Sequence, residues 1–209
     1  MIVSLPGISA RSGRLLSLLL LLSLLSAVDG AGRPAAAQDV IHVCHGYGCW
    51  FRASLALDAA DARRFAAILA AGRRSPAAER AAISDAVRYF ERRAFDVIGI
   101  RDEPRSRFGA SGEAGQMDCI DESTNTRALL LYLAEHDLLR HHTVGSVASR
   151  GFLLDGRYFH STAVIRDAGG TDWAVDSWYA PMGGAPDILP LSEWKVQGLS
   201  SQGARRRTG

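Results

Sequence analysis

A chain of 209 residues with a net charge of +2 and 47% hydrophobic residues has material for one domain with a substantial core. Its basic residues are interspersed with acids and form no stripe interleaved with aromatics, so the pattern gives no support to a nucleic-acid partner. Part of the basic excess is confined to Arg205-Arg206-Arg207 at the far end.

Near the start, Arg11 and Arg14 precede an almost unbroken apolar run from Leu15 to Leu25. Small residues follow at Ser26-Ala27 and Ala35-Ala36-Ala37. A positive flank, an apolar segment short for a bilayer and a small-residue region make the layout of a secretory signal peptide. Residues 1–37 are therefore expected to be an export signal and the mature protein periplasmic or secreted. Membrane contact is expected only through that segment if it stays uncleaved. Residues 38–199 then form a single domain, and the polar, basic residues 200–209 a disordered tail.

The sequence contains three cysteines. Cys44 and Cys49, close together in HVCHGYGC, are natural disulfide partners in an oxidising compartment, with Gly46 and Gly48 allowing a tight turn between them. Zinc is the alternative for His42, Cys44, His45 and Cys49. However, the adjacent Cys44 and His45 side chains diverge and no second ligand pair follows at a usual spacing, so neither a metal nor a cofactor is expected. Cys119 is left as a lone thiol, for which burial, pairing between molecules and reactivity are the alternatives.

Asp58 is placed to cap a helix running to about Ala71, with Ala62, Phe65, Ala66 and Leu69 on one face and Gly72 as its stop. Ser75-Pro76 opens a second helix whose residues Ala82, Ile83, Ala86, Val87 and Phe90 line one side. The two form a helical hairpin. Phe95 to Gly115 lacks periodicity and reads as a long loop of the kind that borders functional clefts. Asp118 then caps a third, largely apolar helix with Asp121 and Glu122 in its first turn, ending near His136, with His141 and His142 partly exposed beyond it.

From Gly151 the pattern turns strand-like. Gly151–Leu154 and Arg157–Arg166 are joined by Asp155-Gly156, a dipeptide suited to a two-residue turn, and Gly169-Gly170 leads to Trp173–Trp178. If 167–171 is the second loop, Arg166 faces Asp172 and Thr162 faces Asp176. His160 then lies two residues further along the same face as Asp176, with backbones roughly 7–8 Å apart. Trp178 shares that face and is expected mainly as core packing, with a cleft wall as the alternative. Pro181–Pro190 reads as loop and Leu191–Trp194 as a helical turn.

A cysteine at a helix start, a histidine on a strand and an aspartate on the next strand suit thiol chemistry. The thiolate is the nucleophile, a helix N-terminus or an imidazolium favours it, and a carboxylate fixes the imidazole tautomer. On Cys119, His160 and Asp176, the stretch Gly115 to Trp178 resembles the transglutaminase-like cysteine protease superfamily, broadly papain-like. That resemblance implies an α+β fold in which the helical hairpin and a central helix pack on an antiparallel sheet. It also implies Cys119 as nucleophile, His160 as general base and acid, and Asp176 as its orienter. For the oxyanion, the Cys119 backbone N–H and the Gln116 side-chain amide are the candidate donors. The expected activity is hydrolysis or acyl transfer at an amide or ester of a peptide or protein substrate, with cell-wall peptide among the candidates. An amidase of the NlpC/P60 kind and a non-catalytic exported module on the same scaffold are the alternatives.

Overall fold

The computed structural model describes, besides Met1, residues 38–107, 109–151 and 159–197. The proposed export signal, the Asp155-Gly156 turn with its flanking residues 152–158, and the tail beyond 197 lie outside the described residues. Among the described residues, no helix is long and apolar enough to cross a membrane.

The fold is mixed α and β with antiparallel sheets. Strands β1 (Asp39–His45) and β2 (Phe51–Leu57) form a two-stranded hairpin. Helix α1 (Ala59–Ala70) follows from a capping box on Asp58 and passes through a 3₁₀ turn at Ala71–Arg74 into α2 (Pro76–Ile98). Ser75 caps α2 with proline at its first position, as its sequence predicts. The helix runs past the expected loop boundary at Phe95, because Gly99 at φ 71° supplies the left-handed stop. Helix α3 (Cys119–Glu135) follows the long loop and begins in a second capping box, on Asp118 and Asp121.

Strands β3 (His142–Val144) and β4 (Ala148–Arg150) both pair with β5 (His160–Asp167), which pairs with β6 (Asp172–Asp176), which pairs with β7 (Asp187–Pro190). The short helix α4 (Leu191–Val196) follows β7. One strand corrects an expectation and another was not foreseen. Phe51–Leu57 is a strand because Leu55 and Leu57 alternate inward, and Asp187–Pro190 pairs with β6 where a loop was expected. His142 is buried rather than partly exposed. Its Nδ1 donates to the buried Glu79 at 2.7 Å, and Glu79 also accepts the backbone N–H of His141 at 2.9 Å.

The main core lies around α3. Ile41, Val43, Leu55 and Leu57 of the hairpin and Phe65, Ile83, Val87 and Phe90 of α1 and α2 meet Leu129, Leu130 and Leu133. Ala163, Ile165 and Val175 supply the sheet side of the same core. Leu130 is fully buried, and truncating it to alanine would remove about 2–5 kcal/mol of stability.

Candidate functional site

The register of β5 against β6 decides what His160 meets. Arg166 pairs with Asp172 and Ala163 with Val175, the alignment required by a loop over 167–171. Arg166 also binds Asp172 through two side-chain hydrogen bonds of 2.7 and 2.9 Å, which holds the turn in place. With Ala163, Ile165 and Val175 turned into the core, alternation puts His160, Thr162 and Asp176 on the other face. There His160 Nε2 and Asp176 Oδ2 lie 2.7 Å apart, both residues buried.

Asp176 holds more than the imidazole. The Trp194 indole Nε1 donates to the same Oδ2 at 2.7 Å, and the backbone N–H of Trp178 approaches Oδ1 at 3.3 Å. Charge-assisted bonds of this kind are about twice as strong as neutral ones, so the carboxylate is fixed from three sides. The imidazole is boxed by aromatic rings, with centroids 4.6 Å away at Trp178, 5.4 Å at Tyr179 and 5.5 Å at Trp194. Its other nitrogen, Nδ1, is buried and has no hydrogen-bond partner among the described residues.

Cys119 is the first residue of α3 and a free thiol, buried at 5% exposure against Trp178 and Tyr179. Its sulfur accepts the backbone N–H of Ser161, the residue after His160. The sulfur and the imidazole thus share Trp178 as a wall. The position at a helix start does not lower the thiol's pKa as expected. Burial pushes it up to about 12, and the charges of Asp118, Asp176 and Glu122 add to that against the single Ser161 N–H. The resting site therefore holds a protonated thiol at neutral pH.

The helix start itself is held by the hairpin. Cys44 and Cys49 form a disulfide that closes the turn between β1 and β2. Gly46, Tyr47, Gly48 and Cys49 all have positive φ, between 61° and 87°, a run that turns successive N–H groups to one side as an anion-binding nest. Tyr47 and Cys49 donate to Asp121 at 2.8 and 2.5 Å, and Gly48 donates to Asp118 at 3.1 Å. The side chain of Asn125, one turn further along α3, exchanges two hydrogen bonds with the backbone of Cys44, at 2.6 and 2.8 Å. With Cys44 and Cys49 bonded to each other, their approach to Asp121 is not a thiolate metal site.

Asp118 takes the N–H groups of Ile120 and Asp121 with its side chain, and that of Glu122 with its carbonyl. The N–H of Cys119 remains at the mouth of the helix. Gln116 is committed elsewhere, its amide donating to the Arg101 carbonyl at 2.7 Å.

Sequence reasoning assigned no role to Trp194 or Ser161. Trp194 was visible only as part of a helical turn, and nothing in LSEW signals that its indole reaches across to β6. Arg150 was also missed. It pairs with His160 across β4 and β5, lies 4.2 Å over the Trp194 ring, and donates to the Trp194 carbonyl and, at 3.4 Å, to the Tyr179 hydroxyl. Comparison with known protein families, with curated proteins and with solved structures gives no match to this chain.

Proposed function

We propose that the protein is an exported, transglutaminase-like thiol hydrolase or acyltransferase that cleaves an amide or ester of a peptide-like substrate through an acyl-enzyme on Cys119. The observation that carries this reading is the state of His160. One ring nitrogen is tied to Asp176 at 2.7 Å, while the other is buried without a partner in a site that also holds a lone thiol. A buried unpaired nitrogen is costly, and such exceptions are characteristic of sites where a proton must move.

With the proton on Nε2 donated to Asp176, Nδ1 is the basic nitrogen. It takes the Cys119 proton as sulfur attacks the substrate carbonyl. The oxyanion is received at the helix mouth by the Cys119 N–H, and the proton passes from His160 to the leaving amine or alcohol. Water, or an amine in the transfer reaction, then gives its proton to His160 and attacks the thioester, which releases the acyl group and the thiol. Trp178 and Tyr179 cover the sulfur at rest, so substrate has to part them. Hydrolysis is preferred to transfer because nothing in the sequence identifies an amine-binding site.

One observation favours a second reading, a non-catalytic exported binding or structural module. The thiol is buried, and its pKa is pushed up to about 12. The test is acylation by an activated ester followed by intact mass. The enzyme reading expects one acyl group on Cys119, none in Cys119→Ser, and acylation slowed about 10²–10⁴-fold in His160→Ala. Absence of an adduct on the folded protein, or an adduct that forms equally fast in His160→Ala, overturns it in favour of the module.

A further inference from the structure

Three buried carboxylates lie close to the thiol site without taking part in the chemistry above: Glu91 of α2, Asp102 in the loop after it and Glu122 of α3. Each grips a different piece of the site's framework. Asp102 Oδ1 accepts the backbone N–H of Met117, two residues ahead of Cys119, at 2.8 Å. Glu122 Oε2 accepts the Ser177 hydroxyl, next to Asp176, at 2.8 Å. Glu91 Oε2 accepts the backbone N–H of Gly183 at 2.7 Å, in the loop that follows Trp178 and Tyr179.

The second oxygen of Asp102 is buried and has no donor among the described residues, and the Asp102 carboxyl lies within hydrogen-bonding reach of the Glu122 carboxyl. Two acceptor oxygens in that position repel unless one of them carries a proton, and like-charged carboxyls sharing a site settle by keeping one. No arginine, lysine or histidine forms an ion pair with any of the three among the described residues. The charged groups that face them are few: Arg92 draws Glu91 weakly towards ionisation, while Glu103 repels Asp102. Arg88 and Arg92 instead point their N–H groups at the Gly183 carbonyl, at 3.5 and 3.4 Å. A cavity of about 10 Å³, room for one water, is bounded in part by Glu91, Glu122 and Ser177.

We propose that the Asp102–Glu122 pair, bridged by one shared proton and backed by Glu91, is a positioning latch for the thiol site. With the proton in place, Met117 and Ser177 are held at fixed spacing, and with them the start of α3 and the strand end that carries Asp176, Trp178 and Tyr179. When the proton leaves, two buried negative charges repel across the latch, its grip on both segments loosens together, and the cover over the sulfur opens. Burial holds all three acids in the protonated direction, the same direction in which the facing carboxyls push one another. The latch acts on the accessibility of Cys119. Its bearing on turnover rests on the enzyme reading above.

The test is the rate of Cys119 alkylation by iodoacetamide from pH 6 to 10, with the disulfide intact so that one thiol reports. A buried thiol whose surroundings do not change gains about tenfold in rate per pH unit, because only its own proton is lost. A latch that must also lose a proton raises the slope towards about a hundredfold per unit over the range where it opens. In Glu122→Gln the amide can donate to the Asp102 carboxylate, so the bridge persists without a proton to lose and the slope returns to about tenfold. Asp102→Asn is the second variant and carries the same expectation. A wild-type slope that never exceeds tenfold per unit overturns the latch whether or not the variants fold. So does a wild-type profile that superimposes on that of either folded variant. Loss of the enzyme reading is told apart by His160→Ala, which alters acylation and leaves the difference between wild type and Glu122→Gln in place.

Discussion

Two groups of acids flank the start of α3, and they are held in opposite ways. On the outer side, Asp118 and Asp121 face a turn whose left-handed run delivers the N–H groups of Tyr47, Gly48 and Cys49 to their oxygens. On the inner side, Asp102 and Glu122 face each other, with the Ser177 hydroxyl on Glu122 and the backbone N–H groups of Met117 and Glu103 on Asp102. Burial and the neighbouring Asp118 raise Asp121 only to about 6, so it is ionised at neutral pH, whereas Glu122 is held well above the usual carboxylate range. The comparison teaches that supplied amides, rather than exposure alone, decide which acids beside the buried thiol are drawn towards ionisation. Asp118 and Asp121 accept the amides that build the helix start, while burial pushes Asp102 and Glu122 towards the protonated form.

Substitution on the outer side should break the comparison most severely. Asp121→Ala leaves the amides of Tyr47, Cys49 and Asp118 without their acceptor, and a loss of about 3 kcal/mol is expected in urea unfolding. Opening the Cys44–Cys49 disulfide, by reduction or by replacing both residues with serine, should remove about 2 kcal/mol for so short a loop, read as a lower Tm. Loss of the bond should also speed alkylation of Cys119, because the turn that supplies the amides is no longer closed.

On the inner side the expected effect has a pH signature. A carboxyl whose folded pKa is raised makes the folded state bind more protons than the unfolded one. The stability it contributes is complete below the unfolded value near 4.5 and is lost as pH rises through about 8 for Glu91. The Tm should therefore decline from pH 5 to 9, and Glu91→Gln should flatten part of that decline. A profile in Glu91→Gln as steep as that of the wild type would remove Glu91 from the inner group. The smallest effect is expected from Trp194→Phe, which keeps the ring and removes one donor from Asp176. A loss of about 1 kcal/mol is expected, with His160 reporting a changed environment by NMR.

Much of the framework was legible because local rules agreed with the fold. Asp58, Ser75-Pro76 and Asp118 announce three helix starts, and all three caps form as written. The loop length between β5 and β6 sets a register that puts His160 and Asp176 on one face. The Cys44–Cys49 pairing follows from proximity in sequence. Phe51–Leu57 was not legible, because FRASLAL buries little beyond Leu55 and Leu57 and its small residues carry no strand signal. Nor was the state of the thiol. A helix start predicts a lowered pKa only where water or a cation can reach, and the cover of Trp178 and Tyr179 is a tertiary fact. The inner acids share that character: Glu91, Asp102 and Glu122 stand far apart in sequence, and each looks like an ordinary surface residue until the fold encloses it.

The indole that steadies Asp176 comes from α4, beyond the last strand of the sheet. During synthesis, the imidazole and its carboxylate can meet as soon as β5 and β6 pair, yet the aromatic box around them stays open until residue 194 has emerged and folded back. A chain cut short after β7 would keep its thiol, its histidine and its aspartate, and lack the clamp that keeps the last two aligned. Assembly of the site in this way waits on Trp194 as well as on the paired strands.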